Sequence, residues 1–410
     1  MQPKLYPRLM LALLTGLNIL NYIDRSVYFG VQPLIQKEFG VNDAQAGWVN
    51  SAFFLSYLCT APFVGYLGDR YSRKRIVAIG IFIWSGFTLL TGITHSYNGL
   101  LFRHIMVGIG EASYATIAPT LIADSFPLAR RGRMLSIFSL GLPFGVALGY
   151  KLGGLFAAPP HENWRLPFMV AGIPGFLLAL ILLMLPEPER GKTDSVTPSM
   201  VRSTLPSLLK NGAFMSATLG LAMYTFAMGG LQQWMPTFLS RVRSIPLHQA
   251  NDIFSKMTGF NAIVATLIGG WIGDRLLKRY FGAYYTFSGW AMLVAVPLMV
   301  MAIYATGRPM LPAMFVAEFF LLINTGPLNA ALVNSVDAKI RSTALAVNVV
   351  VIHLLGDVPS PPIIGWISDK TSSLQTGFCV TFVAAALSGL ILVYGARHAP
   401  RPREQNIAAV

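Results

Sequence analysis

Ionisable residues are scarce in this chain, and several stand inside long apolar runs where a charge meets no solvent. Asp24 and Arg25 are adjacent in the run 8–35. Glu111 lies in the run 98–126, preceded there by Arg103 and His104. Lys151 falls late in 132–157, Glu318 in 308–336, and His353 and Asp357 in 341–367. Ionisable groups at membrane depth are costly and mark pathways or sites. Two carboxylates near cations are the parts of a proton carrier. Burial favours a neutral acid, a neighbouring cation favours the carboxylate, and a change of surroundings moves the proton. With a rise of about 1.5 Å per residue, Asp24 on an ascending span and Glu111 on a descending one fall about one or two turns apart in depth. Asp24 and Glu111 are therefore expected to couple protons. The bland reading is a static ion pair between Asp24 and a neighbouring arginine.

Arg25, Arg103, His104 and Lys151 are the cations able to hold an anionic headgroup such as phosphate, arginine through a bidentate fork and lysine as a point charge. Lys151 can equally snorkel to the outer interface from its place late in the span. Glu318 has no evident partner in sequence. It either lines a cavity or is a hydrogen-bonded carboxyl in the core. His353 and Asp357 are four apart and share a helix face, which suits a substrate contact or a hydrogen bond between helices.

The elements that must position these groups follow from composition. Of 410 residues, 54% are hydrophobic and 12% charged, about half the charge of an ordinary soluble domain. At about 20 apolar residues per span plus connections, the length accommodates about twelve spans. They are read at 8–35, 44–69, 74–94, 98–126, 132–157, 164–185, 212–240, 250–275, 281–305, 308–336, 341–367 and 373–397. The expected class is an all-α membrane protein. The first run lacks a cleavage site and exceeds a signal core, so no cleavable signal peptide is expected. The net charge of +14 does not imply nucleic acid. Lys and Arg crowd the loops after the even-numbered spans and both chain ends. The opposite loops hold only Lys37, Arg165, Arg241, Arg243, Lys256, Arg308 and Lys370. By the positive-inside rule both termini are cytoplasmic.

The longest polar break, 186–211, opens Pro186-Glu187-Pro188-Glu189 and reads as a cytoplasmic linker between two six-helix halves, 1–185 and 212–410. Gly65-Tyr66-Leu67-Gly68-Asp69-Arg70 closes span 2, and Gly270-Trp271-Ile272-Gly273-Asp274-Arg275 closes span 8 in the corresponding place. Transporters are commonly built from such repeats. These segments read as gates. Gly65 permits close helix approach, and Asp69 can face a helix N-terminus such as that of span 11. Arg70 or Arg73 can reach Asp124, while Asp274 and Arg275 repeat the arrangement. Spans 5 and 11 are interrupted at corresponding places, around Gly141-Leu142-Pro143 and Gly356-Asp357-Val358-Pro359. Such pairs mark bending helices near a binding site, or simply close packing.

The run Gly65 to Arg75 resembles the loop 2–3 motif of the major facilitator superfamily, with Ser72 where glycine is usual. Leu20-Asn21-Tyr22-Ile23-Asp24-Arg25, Gly108-Ile109-Gly110-Glu111 and His353 through Pro361 resemble the Spinster family across nearly the whole chain. The resemblance implies a major facilitator fold of two pseudo-symmetric halves. It also implies a proton-coupled carrier of lysophospholipids or sphingoid lipids such as sphingosine-1-phosphate. The family pattern usually has arginine seven positions before the glutamate. Here His104 stands there, so either an imidazole replaces the cation or Arg103 serves.

A drug or organic-anion antiporter, or a sensor on a transporter fold, are the alternatives. Enzyme motifs are absent: the sequence has no His-Glu-x-x-His, no Gly-x-Ser-x-Gly and no phosphate loop. Cys59 and Cys379 have no metal-ligand spacing, and neither cofactor nor metal is expected. The expected partners are an amphipathic lipid, protons and the bilayer of a plasma or bacterial inner membrane. Because every gate lies within one chain, a monomer is expected.

Overall fold

The computed structural model describes residues 5–160, 162–189, 205–336 and 340–400. Most of the expected linker, 190–204, and the tail 401–410 lie outside the described residues.

Among the described residues the regular structure is helical. The first half comprises α1 (Leu5–Phe39), α2 (Asp43–Arg70), α3 (Arg73–Thr91), α4 (Tyr97–Ser125), α5 (Leu128–Ser139), α6 (Gly141–Phe156) and α7 (Leu166–Met184). A short α8 (Leu205–Leu209) precedes α9 (Gly212–Arg241), α10 (Leu247–Leu277), α11 (Ala283–Tyr304), α12 (Met310–Leu322) and α13 (Thr325–Asn334). Then come α14 (Arg341–Ile352), a π-helical turn (His353–Asp357), α15 (Ser360–Thr371), α16 (Leu374–Gly377) and α17 (Cys379–Gly395). Eleven of the resulting rods are long and apolar enough to cross a membrane. The twelfth, α1, is 35 residues long and carries Asn18, Asn21, Asp24 and Arg25 near its middle. The chain is thus a twelve-helix membrane protein built from two six-helix halves.

Helix ends follow local chemistry. Gly40, at φ +61°, takes the left-handed conformation that closes α1. Asn42 then caps α2: its Oδ1 accepts from the Gln45 amide at 2.8 Å, and its own amide donates to Gln45 Oε1 at 3.0 Å. This reciprocal pair satisfies two otherwise orphaned amides. The expected interruptions of spans 5 and 11 are present, at Leu140 between α5 and α6 and at the π-helical turn before α15. Span 10 is also broken, at Ile323-Asn324, where Asn324 Nδ2 donates to Phe320 O at 3.0 Å.

By packing, the described residues up to 189 form one compact unit together with Gln232–Gly259. The second unit holds the described residues of 205–231 and Phe260 onward. The sequence division at 186–211 therefore differs from the packing division. The C-terminal part of α9 and the N-terminal part of α10 pack with the first half, tied by side-chain hydrogen bonds described below.

In the first unit α6 lies hard against α1, and the glycines of the interrupted span permit it. A Cβ at Gly145 would lie 2.5 Å from Ile19 O, and one at Gly149 would lie 2.6 Å from Ser26 Cβ. No larger residue fits without moving α1. The glycine face of α6 thus fixes the helix that carries Asp24 and Arg25.

Candidate proton and headgroup site

Asp24 and Arg25 project from α1 and Glu111 from α4. Arg25 donates to Glu111 Oε2 from Nε at 2.8 Å and from Nη2 at 2.6 Å. The Glu111 side chain is fully buried. Rings of Phe53, Tyr22, Phe54 and Tyr57 surround the guanidinium, with centroids 4.7 to 5.9 Å from its carbon. Such rings attract a cation through their quadrupole, so Arg25 is held by one anion and several π faces. Asp24, also buried, is near enough to Glu111 and Arg25 for their charges to interact. Its own hydrogen-bond donor is Thr88 Oγ1 of α3, at 3.4 Å from Oδ2. The arginine expected beside Asp24 therefore pairs with Glu111.

Of the other expected cations, Arg103 and Lys151 are engaged elsewhere, and His104 lines the same chamber as Asp24 and Arg25. Arg103 donates to Thr94 Oγ1 at 2.5 Å, while His104 packs edge-on against Tyr28 and Phe168 beside Asp24. Lys151, expected among the headgroup cations, is instead largely exposed and paired with Asp252, which also holds Lys256 at 2.6 Å. It does not join Arg25, because the stem of a residue late in its span reaches the surface.

The gate residues of the first half meet in part. Arg73 is buried and donates from Nη1 to Asp124 Oδ2 at 2.5 Å and from Nη2 to Pro188 O at 2.9 Å. Glu187 accepts from the Ser72 hydroxyl at 2.5 Å and from the Arg73 amide at 2.9 Å. Burial pushes the Glu187 carboxyl up. The Ser72 hydroxyl, the Arg73 amide and the Arg73 charge more than offset it and leave it below the ordinary value. Arg70 lies instead over the Tyr66 ring, 4.0 Å from its centroid. Gly65 makes no tight approach within its unit, since a Cβ there would sit 3.7 Å from Thr116. Gly68 is closer, at 3.1 Å from Ile117. Asp69 stands at the end of α2 beside Arg70.

In the second unit, Asp274 accepts from the Tyr284 hydroxyl at 2.7 Å, and Arg275 lies over the Trp271 ring. Glu318, buried, accepts from Asn261 Nδ2 at 3.0 Å. His353 Nδ1 and Asp357 Oδ2 are 2.5 Å apart inside the π-helical turn.

One network escaped the sequence reading. Arg241 at the end of α9 donates from Nη1 to both oxygens of buried Asp43, at 2.8 and 2.7 Å. Its Nη2 reaches Gln36 Oε1 at 3.0 Å. Gln36 donates to Asp43 at 2.7 Å, and Gln233 donates to Gln32 at 3.0 Å and to Ala46 O at 3.1 Å. Asn251 adds a bond to Gly30 O at 2.8 Å. The signal was the spacing of Gln32 and Gln36, one turn apart, followed by an acid at a span boundary. Arg241 alone reads only as a loop charge.

The Major Facilitator Superfamily model matches residues 14–358. Protein spinster homolog 1 of Xenopus laevis is 36% identical over 397 residues, covering 92% of this chain and 75% of that protein. The sphingosine-1-phosphate transporter SPNS2 of Danio rerio is 33% identical over 394 residues, covering 90% and 77%. The crystal structure of a bacterial homologue of the human lysosomal transporter Spinster, inward-facing and unoccupied, superposes with a TM-score of 0.86 at 23% identity, over 96% of this chain and 98% of that one. The chain belongs to the major facilitator superfamily and, within it, to the Spinster proteins. It is accordingly a multi-pass membrane transporter and not an enzyme.

Proposed function

We propose that the protein is a proton-coupled carrier of an amphipathic anionic lipid, of the lysophospholipid or sphingosine-1-phosphate class, working by alternating access. The pairing of Arg25 with Glu111 carries this reading. A guanidinium held by one carboxylate can exchange that partner for a phosphate, an anion that accepts the same fork of donors. When Glu111 takes a proton, Arg25 is released to the headgroup. When the headgroup leaves, Glu111 gives up the proton and reclaims Arg25. Asp24 is the second proton site beside it. The similarity to a zebrafish sphingosine-1-phosphate transporter supports the substrate class. The aromatic rings around Arg25 give an apolar tail surfaces to lie on.

Glu318, His353 and Asp357 are the second half's candidates for substrate contact. Arg73 with Asp124 and Glu187 serves as a cytoplasmic latch, with Gly65, Asp69 and Arg70 beside it and Asp274 with Arg275 as its counterpart. Asp43 with Arg241 fastens the opposite end. Both termini are cytoplasmic, in a plasma or bacterial inner membrane, and the monomer is the working unit.

The test is uptake of labelled sphingosine-1-phosphate or lysophospholipid into proteoliposomes under a pH gradient, with the parent, Asp24→Asn and Glu111→Gln. Gradient-driven uptake lost in either variant, with lipid binding retained, supports the reading. Uptake indifferent to the gradient and to both substitutions removes the coupling. No lipid flux at all favours a drug or organic-anion antiporter.

A further inference from the structure

Beside the Arg25–Glu111 pair, the helices of the first unit enclose a chamber of about 20 Å³ lined by Asp24, Tyr28, Asn50, Thr88, Thr91 and His104, among others. One water needs about 10–15 Å³ of such space and two to four polar partners. The chamber meets both conditions for one water. Asp24 Oδ1 is buried with no protein hydrogen-bond partner among the described residues, and Asp24 itself is 5% exposed.

His104 lines the same chamber. Its Nδ1 is 3.1 Å from Leu100 O. A carbonyl oxygen only accepts, so Nδ1 carries the hydrogen and the neutral ring keeps a lone pair on Nε2. Edge contacts with Tyr28 and Phe168, at 5.2 and 6.2 Å between centroids, hold the ring in place. Its position on α4 is about 10 Å from Glu111 toward the start of that helix. There Tyr97 donates to Gln45 O, next to the α1–α2 turn. His104 stands seven residues nearer the start of α4 than Glu111, so the imidazole marks the end of the chamber closer to that helix start.

We propose that His104 is the outer proton port of the carrier, exchanging protons with Asp24 through one water held in this chamber. In the outward step the Asp24 O–H bond breaks and its proton joins the water. The same water gives one of its own protons to His104 Nε2. The products are a carboxylate, an unchanged water and an imidazolium, which then releases the Nε2 proton to outside solvent. Loading runs in reverse. The charged and titratable groups facing this path are Asp24, Arg25 and Tyr28 from α1, and Glu111 and Arg103 from α4. Arg103 is turned onto Thr94. The chamber-lining residues of α2, α3 and α7, Asn50, Phe53, Thr88, Thr91 and Phe168, are uncharged.

This inference rests on proton coupling, and its test separates the two. Gradient-driven uptake of labelled sphingosine-1-phosphate is compared with its exchange at equal pH in proteoliposomes of the parent, His104→Gln and His104→Ala. The expected result is a ratio of gradient-driven uptake to exchange that falls at least about tenfold in both variants. Free imidazole should restore part of it in His104→Ala, where the ring's space is open, and not in His104→Gln. Uptake and exchange falling together would make His104 a substrate contact, and an unchanged ratio would take it off the path; either overturns the proposal. A parent without gradient-driven uptake removes the coupling reading and this inference with it, whereas a coupled parent with an unchanged His104→Gln removes only the port.

Discussion

Arg25 commits Nε and Nη2 to the same oxygen of Glu111, at 2.8 and 2.6 Å, although a guanidinium can serve both oxygens of a carboxylate. The pair is buried, so each charge depends on the other for its stability. Removing one partner of a buried pair costs about 3–5 kcal/mol, while replacing both by uncharged groups is far milder. Arg25→Ala is therefore expected to lower the thermal midpoint in detergent clearly more than the double variant Arg25→Met with Glu111→Gln. A double variant less stable than either single one would show that the ion pair itself is not what the site requires.

Much of the frame was legible in sequence, because apolar run length and loop charge are local properties. The break near Gly141-Leu142-Pro143 and the one at Gly356 were legible for the same reason. The partner of Arg25 was not. Asp24 is its chain neighbour, yet successive residues on a helix point about 100° apart. Which of them meets α4 depends on how α1 is rotated, and the α6 glycines set that rotation. The latch shows the same limit. Arg70 and Arg73 are three apart, and only the structure separates Arg73, buried on Asp124, from Arg70, lying on Tyr66. Glu187 read as a linker residue because its partners Ser72 and Arg73 are far away in sequence.

Glu187 gives that latch a pH dependence of definite sign. Its folded carboxyl lies below the ordinary value, so its contribution is complete above the unfolded value of about 4.3 and fades as pH falls through the lower folded value. Partial exposure screens the effect, which should stay under about 1 kcal/mol. The parent should be more stable than Glu187→Gln at pH 6 to 7, and the gap should close below about pH 4. Melting curves of both proteins across that range check it. A gap that widens in acid would mean that the carboxyl is not held ionised by Ser72 and Arg73.

Arg241 and Asp43 form the other fastening, and here the fork geometry matters. Arg241 serves both Asp43 oxygens and Gln36 together, which a lysine cannot reproduce. Arg241→Ala should cost about 1–3 kcal/mol, reduced from the fully buried case because Arg241 is partly exposed. Arg241→Lys should fall between that variant and the parent. Adding Asp43→Asn to Arg241→Ala should cost little more, since the charge left unpaired is then removed. Thermal midpoints of the parent, Arg241→Ala, Asp43→Asn and the double variant form the cycle, and additive losses would show that the two residues do not act together.

Gly229 and Asp357 allow the π-helical turn to be tested without touching its charged residues. A Cβ on Gly229 would stand 2.7 Å from Asp357 Oδ1, too close for the carboxylate to stay where it is. Its other oxygen is bonded to His353 Nδ1 at 2.5 Å, so a displaced carboxylate also loses the imidazole. The carboxylate ends a flexible side chain and can turn aside, so the cost is mainly that of the lost His353 contact, about 0.5–1.5 kcal/mol. Gly229→Ala should therefore reproduce the effect of Asp357→Asn, and adding it to Asp357→Asn should cause little further change. If the His353–Asp357 pair only braces the turn, both variants should lower the melting temperature while lipid uptake per folded molecule stays near that of the parent. If the pair contacts substrate, uptake should fall several-fold at each variant with the apparent lipid affinity weakened in step. Lipid titrations and melting curves on the same preparations separate the two. Wild-type uptake and stability in Gly229→Ala would show that the carboxylate can move aside without consequence, and that the pair serves neither purpose.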